Sequence, residues 1–228
     1  MLARLLYRDG LMLVVDKPAG LPVHRGPKGG DALEDYFGAL RFGLPRPPAL
    51  AHRLDRDTTG CLVLGRHRKA LALLGKLFKQ GHVGKCYWAV VEGGPETNEG
   101  RIDIPLAKRD DSRGWWMKAD SHGLPSASTW KVMGRGPGIT WLELEPLTGR
   151  THQLRVHCAE MGWPVVGDNI YGSAARMGGP ALHLHSREVT VPISKNKPPV
   201  KVTAAVPESM REKLTACGWA GEVSKASP

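Results

Sequence analysis

Apolar and polar positions alternate along this chain in short blocks, more often of strand length than of helix length. Leu5–Tyr7 and Leu11–Val15 are apolar runs on either side of Arg8-Asp9-Gly10, and Asp-Gly between such runs predicts a β-hairpin. Lys17-Pro18-Ala19-Gly20 ends the second strand. Asp31 is placed to cap a helix reaching about Leu40, with Leu33, Phe37 and Leu40 on one face. Residues 43–48 carry three prolines and exclude regular structure. Cys61–Leu64 reads as a buried strand. Lys69 to Gln80 reads as a helix with Leu73, Leu74, Leu77 and Phe78 inward and Gly81 as its stop. Further strands are predicted at Tyr87–Glu92, 101–104, 115–119, 126–133, 139–145, 182–191 and 200–205. Thr151 is expected to cap a helix to Met161, and Pro207 to start a short C-terminal helix. Strands dominate, so antiparallel or mixed pairing is favoured over alternating βαβ units. The simplest account is one compact α+β domain over residues 1–228, with two halves flanking a cleft as a variant and the last residues frayed.

Composition narrows the classes. No apolar run approaches the ~18 residues that a membrane span needs, so no membrane role is expected. The N-terminal stretch is broken by Arg4, Arg8 and Asp9 and reads as folded protein, not a signal peptide. The four cysteines form no C-x-x-C pair, which disfavours a disulfide framework or zinc ribbon and makes a reducing cytoplasm the default. His183 and His185 have no spaced thiol or acidic partner, so no metal is expected. Thirty-two Lys and Arg against 22 Asp and Glu give a net charge of +10, which attracts polyanions. Charge alone does not separate RNA from DNA or an anionic membrane.

Three segments carry candidate chemistry. Asp55 lies in His52-Arg53-Leu54-Asp55-Arg56-Asp57-Thr58-Thr59-Gly60, fed by the proline-rich lead-in and closed by glycine. Guanidinium groups close to a carboxylate favour its ionised form, which suits a nucleophile or base. On the loop alone, an ordinary ion pair in a turn is the better reading. Asp57-Thr58-Thr59-Gly60 superficially resembles an aspartic-protease loop, but that chemistry needs two carboxylates sharing a proton, and no second such loop exists. Gly149-Arg150-Thr151-His152-Gln153-Leu154-Arg155-Val156-His157 opens the predicted helix, where Arg155 could hold a carboxylate bidentately; a solvated cationic face is the plainer alternative. Lys85-Cys86-Tyr87-Trp88 places Tyr87 in a strand, as a stacking and hydroxyl group or as a core tyrosine.

Taken together these segments resemble a family. Residues 14–24 (VVDKPAGLPVH), the HRLDRDTTG loop, the KCYWAVV strand, the GRTHQLRVH helix and 167–172 (GDNIYG) are similar, in order, to the successive motifs of RluA-type RNA pseudouridine synthases. The LHLHSREVTVP region is similar to that family's last strands, so the motif core runs over about residues 11–206. The resemblance implies an α+β fold with a mixed, mainly antiparallel sheet split by a catalytic cleft. It also implies isomerisation of uridine in RNA, transfer RNA or ribosomal RNA. It makes Asp55 the catalytic aspartate, Tyr87 the active-site tyrosine and Arg155 the basic partner of the aspartate. It makes Arg53 the arginine that fills the gap left by a flipped base, and Leu154 an apolar neighbour of the target base. Thr59 stands where relatives usually carry serine, which keeps the hydroxyl. The catalytic pattern starts within the first dozen residues, so no accessory RNA-binding domain is expected before it.

The reaction breaks N1–C1′, rotates the uracil and joins C5 to C1′. Asp55 would attack C1′ or take the C2′ proton, and the sequence leaves both open. No cofactor and no metal are expected. Arg53, Leu54 and His52 beside Asp55, and Lys17, His24, Arg25 and Lys28 in the early loops, are candidate RNA contacts, with plain solubility as the other reading of the loop charges. A monomer is expected. The rival from another class is a non-catalytic RNA-binding or chaperone protein retaining the fold.

Overall fold

The computed structural model describes residues 1–26, 29–110, 115–194 and 196–222. In chain order the first elements are β1 (Leu5–Arg8), β2 (Met12–Lys17), a 3₁₀ helix (Leu33–Leu40), β3 (Ala49–Leu50), β4 (Thr59–Gly65), α1 (Arg68–Lys79) and β5 (Gly84–Glu92). There follow β6 (Glu99–Asp103), β7 (Leu106–Lys108), β8 (Met117–Ala119), β9 (Ala127–Gly136), β10 (Ile139–Pro146), α2 (Gln153–Glu160), β11 (Leu184–Val191), β12 (Val200–Thr203) and α3 (Glu208–Ala216). Mainly antiparallel strands with few helices form the α+β architecture that the hydrophobic pattern predicts. Where one compact domain is the simplest sequence reading, contacts divide the chain into two units. One holds Met1–Tyr87 with Ser186–Ala204; the other holds Trp88–His185 with the stretch from Ala205.

The first unit carries strands in the order β1-β2-β4-β11 and the start of β5, with β12 antiparallel on β11. The predicted β1–β2 hairpin forms, and one Asp9 carboxylate oxygen accepts the N–H groups of Leu11 and Met12 at 2.7 Å each. β2 pairs antiparallel with β4, setting Lys17 opposite Gly60. Every residue of β4 is buried, which fits its unbroken apolar run. Met12, Val14, Cys61, Val63, Leu74, Val189 and Val191 share one core. The His67 side chain caps α1 by accepting the Ala70 N–H at 3.2 Å. Gly65 lets α1 approach β4: a Cβ there would lie 2.8 Å from the Leu71 Cα.

Two local expectations are corrected here. Asp31 does not cap the segment 33–40. Asp35 reaches back to the Ala32 N–H at 2.9 Å, and the turn is a 3₁₀ helix with Leu33, Phe37 and Leu40 buried as expected. Leu73 is 38% exposed, so the inner face of α1 is Ala70 and Leu74, with Leu77 and Phe78 partly buried.

The second unit carries the rest of β5, then β10, β9 and β6. β9 and β10 form a long hairpin with a bulge at Trp141/Leu142, and β7 and β8 form a small one. Val90, Trp141, Val166, Met210 and Leu214 make its core. α2 starts at Gln153, not Thr151, after His152 at a left-handed φ of 53°. Its residues 153–158 are all buried, while Met161, expected on the apolar face, is 44% exposed. A solvated cationic face is therefore excluded for this helix.

Candidate active site

In the first unit the Asp55 loop is built on the β2–β4 pair. Lys17 ends β2 with no exposed surface, and its ammonium donates to the carbonyls of Pro18 (2.8 Å), Arg56 (2.7 Å) and Thr58 (3.0 Å). These three bonds use all the donors of a lysine. Burial pulls the Lys17 amine down to about 8, opposed by the charges of Asp57 and Asp55. Lys17 is therefore a strut of the loop, and the expectation that it contacts phosphate is corrected. The loop closes on itself through the Thr58 N–H donating to the Asp55 carbonyl at 3.2 Å. Asp55 is half-buried and Arg53 exposed, while Leu54 is buried. The Arg56 guanidinium donates to Asp57, with Nη2 to Oδ2 at 3.1 Å.

Tyr87 is buried in the same unit, and a side-chain hydrogen bond links it to Ser186, which donates to the Cys61 carbonyl at 3.1 Å. Burial raises the Tyr87 phenol well above its ordinary range, and the Asp55 charge raises it further. Tyr87 is thus a neutral hydroxyl within electrostatic reach of Asp55. His52 faces inward: Nε2 accepts the Val63 N–H at 3.0 Å, and its ring stacks on Phe78 at 4.4 Å. Burial and the Lys85 charge lower it to about 3, so it is neutral, and through Val63 and Phe78 it supports the loop. His24 pairs with Glu34 at 2.7 Å and Arg25 with Asp35 at 2.9 Å, all exposed. Lys28 lies outside the described residues.

In the second unit α2 carries Leu154 and Arg155, both buried. The Arg155 guanidinium forks onto Asp168, Nε to Oδ2 at 2.7 Å and Nη2 to Oδ1 at 2.8 Å. Asp168 Oδ1 also accepts the N–H groups of Ile170 (2.9 Å) and Tyr171 (3.0 Å). Burial alone would raise Asp168, but the Arg155 bonds and charge and the two amides outweigh it and hold the carboxyl below its ordinary value. The Tyr171 ring lies 5.3 Å from the Arg155 guanidinium. Its hydroxyl accepts the Met117 N–H at 2.8 Å and shares a hydrogen bond with His152 Nδ1, also at 2.8 Å. Gln153 ties the helix start to β9 through the Ala127 carbonyl and Ser128. The sequence reading did not assign roles to Asp168, Tyr171 or Ser186. The first two stand in GDNIYG and the third in LHLHSREVTVP, so the motifs held the signal without the pairing.

Asp55 with Tyr87 in one unit, and Arg155 locked by Asp168 in the other, are carried by segments that also match a known family. Residues 11–160 match the family model described as RNA pseudouridylate synthase. The chain belongs to that family. An uncharacterized RNA pseudouridine synthase of Zymomonas mobilis is 43% identical over 92% of this chain and 96% of its own length. The ribosomal large subunit pseudouridine synthase C of Vibrio vulnificus is 32% identical over 91% of this chain and 67% of its own. The solved structure of human RNA pseudouridylate synthase domain containing 4 superposes with a TM-score of 0.80 at 26% identity, covering 95% of this chain and 93% of that one. The pseudouridine synthase fold and the isomerase class are thereby shown. Among the described residues, no helix is long and apolar enough to cross a membrane, and no group of three or more His, Cys, Asp or Glu side chains could hold a metal ion.

Proposed function

We propose that this pseudouridine synthase acts through Asp55 on a uridine of structured RNA, with ribosomal RNA the first substrate to test and transfer RNA the second. The observation that carries the reading is the Asp55 loop. Asp55 is half-buried, in a loop whose Arg56 and Thr58 carbonyls are held by the Lys17 ammonium, and is within electrostatic reach of the buried Tyr87. A fixed anion beside the ribose favours either attack on C1′ or removal of the C2′ proton, because its orientation is set before the reaction starts. Tyr87, held neutral, offers a ring for the flipped base and a hydroxyl. Stacking of that kind offsets about 1–3 kcal/mol of the unstacking cost. Arg155 stays in the catalytic set on the motif match, with Asp168 fixing its side chain. Arg53, exposed beside the loop, is the residue proposed to fill the vacated stack. Leu154 belongs beside the uracil, Leu54 is buried within the loop, and His24 and Arg25 remain phosphate candidates once their carboxylate partners yield. Ribosomal RNA is favoured because the Vibrio vulnificus relative is named for it. The enzyme is read as a cytoplasmic monomer.

The test is pseudouridine mapping in ribosomal and transfer RNA from cells with the gene, without it, and carrying only Asp55→Ala. The expected result is at least one ribosomal site lost in both altered strains. Sites retained in the Asp55→Ala strain would overturn the catalytic assignment and favour a non-catalytic RNA-binding role. Sites lost only from transfer RNA would overturn the substrate assignment alone.

A further inference from the structure

Beside the ends of β7 and β8 lies an aromatic and cationic surface, formed by Arg109, Trp115, Trp116 and Arg176, that the proposed catalysis does not use. The Arg109 N–H donates to the Trp116 carbonyl at 2.7 Å, which seats the two residues opposite each other where the hairpin ends. The Trp116 ring lies 6.0 Å from the Arg109 guanidinium and 5.2 Å from that of Arg176. Beside it, Trp115 is 57% exposed, an unusual state for so large an apolar side chain. Trp115 is not a loose ornament, because its ring meets His152 edge-on at 6.1 Å, and His152 bonds Tyr171, whose ring lies against Arg155. The series Trp115, His152, Tyr171, Arg155 therefore runs from solvent to the buried helix that carries Leu154 and Arg155.

We propose that Trp115 is a stacking platform for an unpaired base flanking the target uridine, with Arg109 and Arg176 contacting the adjoining phosphates. The inference rests on the reading that the chain acts on RNA. The exposed Trp115 indole, next in the chain to a Trp116 ring that two guanidiniums approach, suits a ligand that is planar and anionic at once. A nucleotide has both properties, and an apolar protein face has only the complement of the ring. Stacking tolerates any base, so this surface selects unpaired over paired RNA without reading sequence. Its attachment to His152 and Tyr171 keeps the platform in register with α2, so a base stacked there has a fixed offset from Leu154 and Arg155. The surface would thus help to choose which looped uridines are modified.

The experiment measures binding of a short fluorescent oligouridylate, and of a duplex RNA of equal length, to wild type, Trp115→Ala, Trp115→Phe and Arg176→Ala across a salt series. Trp115→Ala should weaken oligouridylate binding about 5–100-fold with an unchanged salt slope. It should leave duplex binding nearly unchanged, and Trp115→Phe should restore most of the loss. Arg176→Ala should weaken both ligands and lower the salt slope by about 1. In tritium-release assays, Trp115→Ala should raise KM for a looped RNA and keep kcat. Oligouridylate binding by Trp115→Ala equal to wild type would overturn the proposal. So would a surface that instead joins two copies, seen as a Trp115→Ala change in sedimentation with binding intact. If wild type isomerised no RNA, the functional reading would fall, yet the oligouridylate comparison would still decide the platform.

Discussion

Lys17 shows how one residue changes meaning between sequence and structure. In the sequence it is a cation in an early loop of a basic protein, and solvent exposure is the default for such a residue. In the structure its charge is spent on three carbonyls, two of them on either side of Asp57 in the Asp55 loop. Lys17→Met would bury those acceptors without a donor, at a cost of about 1–3 kcal/mol in urea unfolding. It should also lower kcat more than it raises KM, since the loop geometry and not the RNA surface is disturbed. The pH dependence follows from the lowered amine at about 8 against an ordinary 10.5. Between those values the unfolded chain binds the proton more tightly, so this group's contribution to stability rises with pH. Over the same interval a neutral amine keeps only two donors, so activity should fall above pH 8 in wild type. Urea unfolding and tritium release on wild type and Lys17→Met at pH 7 and 9.5 check both signs. His52 responds in the same sense in a more acidic window. Its value near 3 lies below the ordinary 6.5, so the unfolded chain takes up a proton first and stability is lost as pH falls below 6.5. His52→Asn should flatten that acid limb in thermal melts between pH 7 and 4.

Among the elements, the buried Arg155–Asp168 fork sets the shape of α2 and its surroundings. Removing one partner of such a pair leaves an uncompensated buried charge, so Asp168→Ala should cost about 3–5 kcal/mol in urea unfolding. Asp168→Asn should cost less and should still impair tritium release, because the fork is lost while the volume is kept. Gly65→Ala tests the seat of α1 on β4. The new methyl would meet Leu71 backbone, so a loss of about 1–3 kcal/mol is expected. The strand pattern was legible wherever alternation or a buried run was long enough, as in the β1–β2 hairpin, β4, β9 and β10. β3 and β7 span two and three residues, too few for periodicity to register. Leu73 was misplaced because a leucine at helical spacing carries no mark of which flank faces solvent. The catalytic candidates were legible only through ordered motifs, since a lone Asp, Tyr or Arg has many ordinary fates. Burial of Lys17 and Arg155, and the choice of Asp168 as a partner, depend on tertiary contacts that spacing does not encode.

For the whole molecule, the positive charge and the motif order point the same way. A net charge of +10 predicts RNA binding that weakens steeply with salt, as each phosphate contact releases condensed counterions. That attraction is indifferent to sequence, so selection of a uridine must come from the loop, the flipped base and the surfaces beside them. The two compact units divide the labour in sequence terms: the first carries Asp55 and Tyr87, the second Arg155, Leu154 and the hairpin aromatics. The fold class and family match leave the chemistry of Asp55 as the central claim. Tritium release from RNA labelled at uridine C5 addresses it directly, because joining C5 to C1′ expels the C5 hydrogen. Wild type is predicted to release tritium from ribosomal RNA, and Asp55→Ala to release none while binding the same RNA. Equal release by the two proteins would contradict the account.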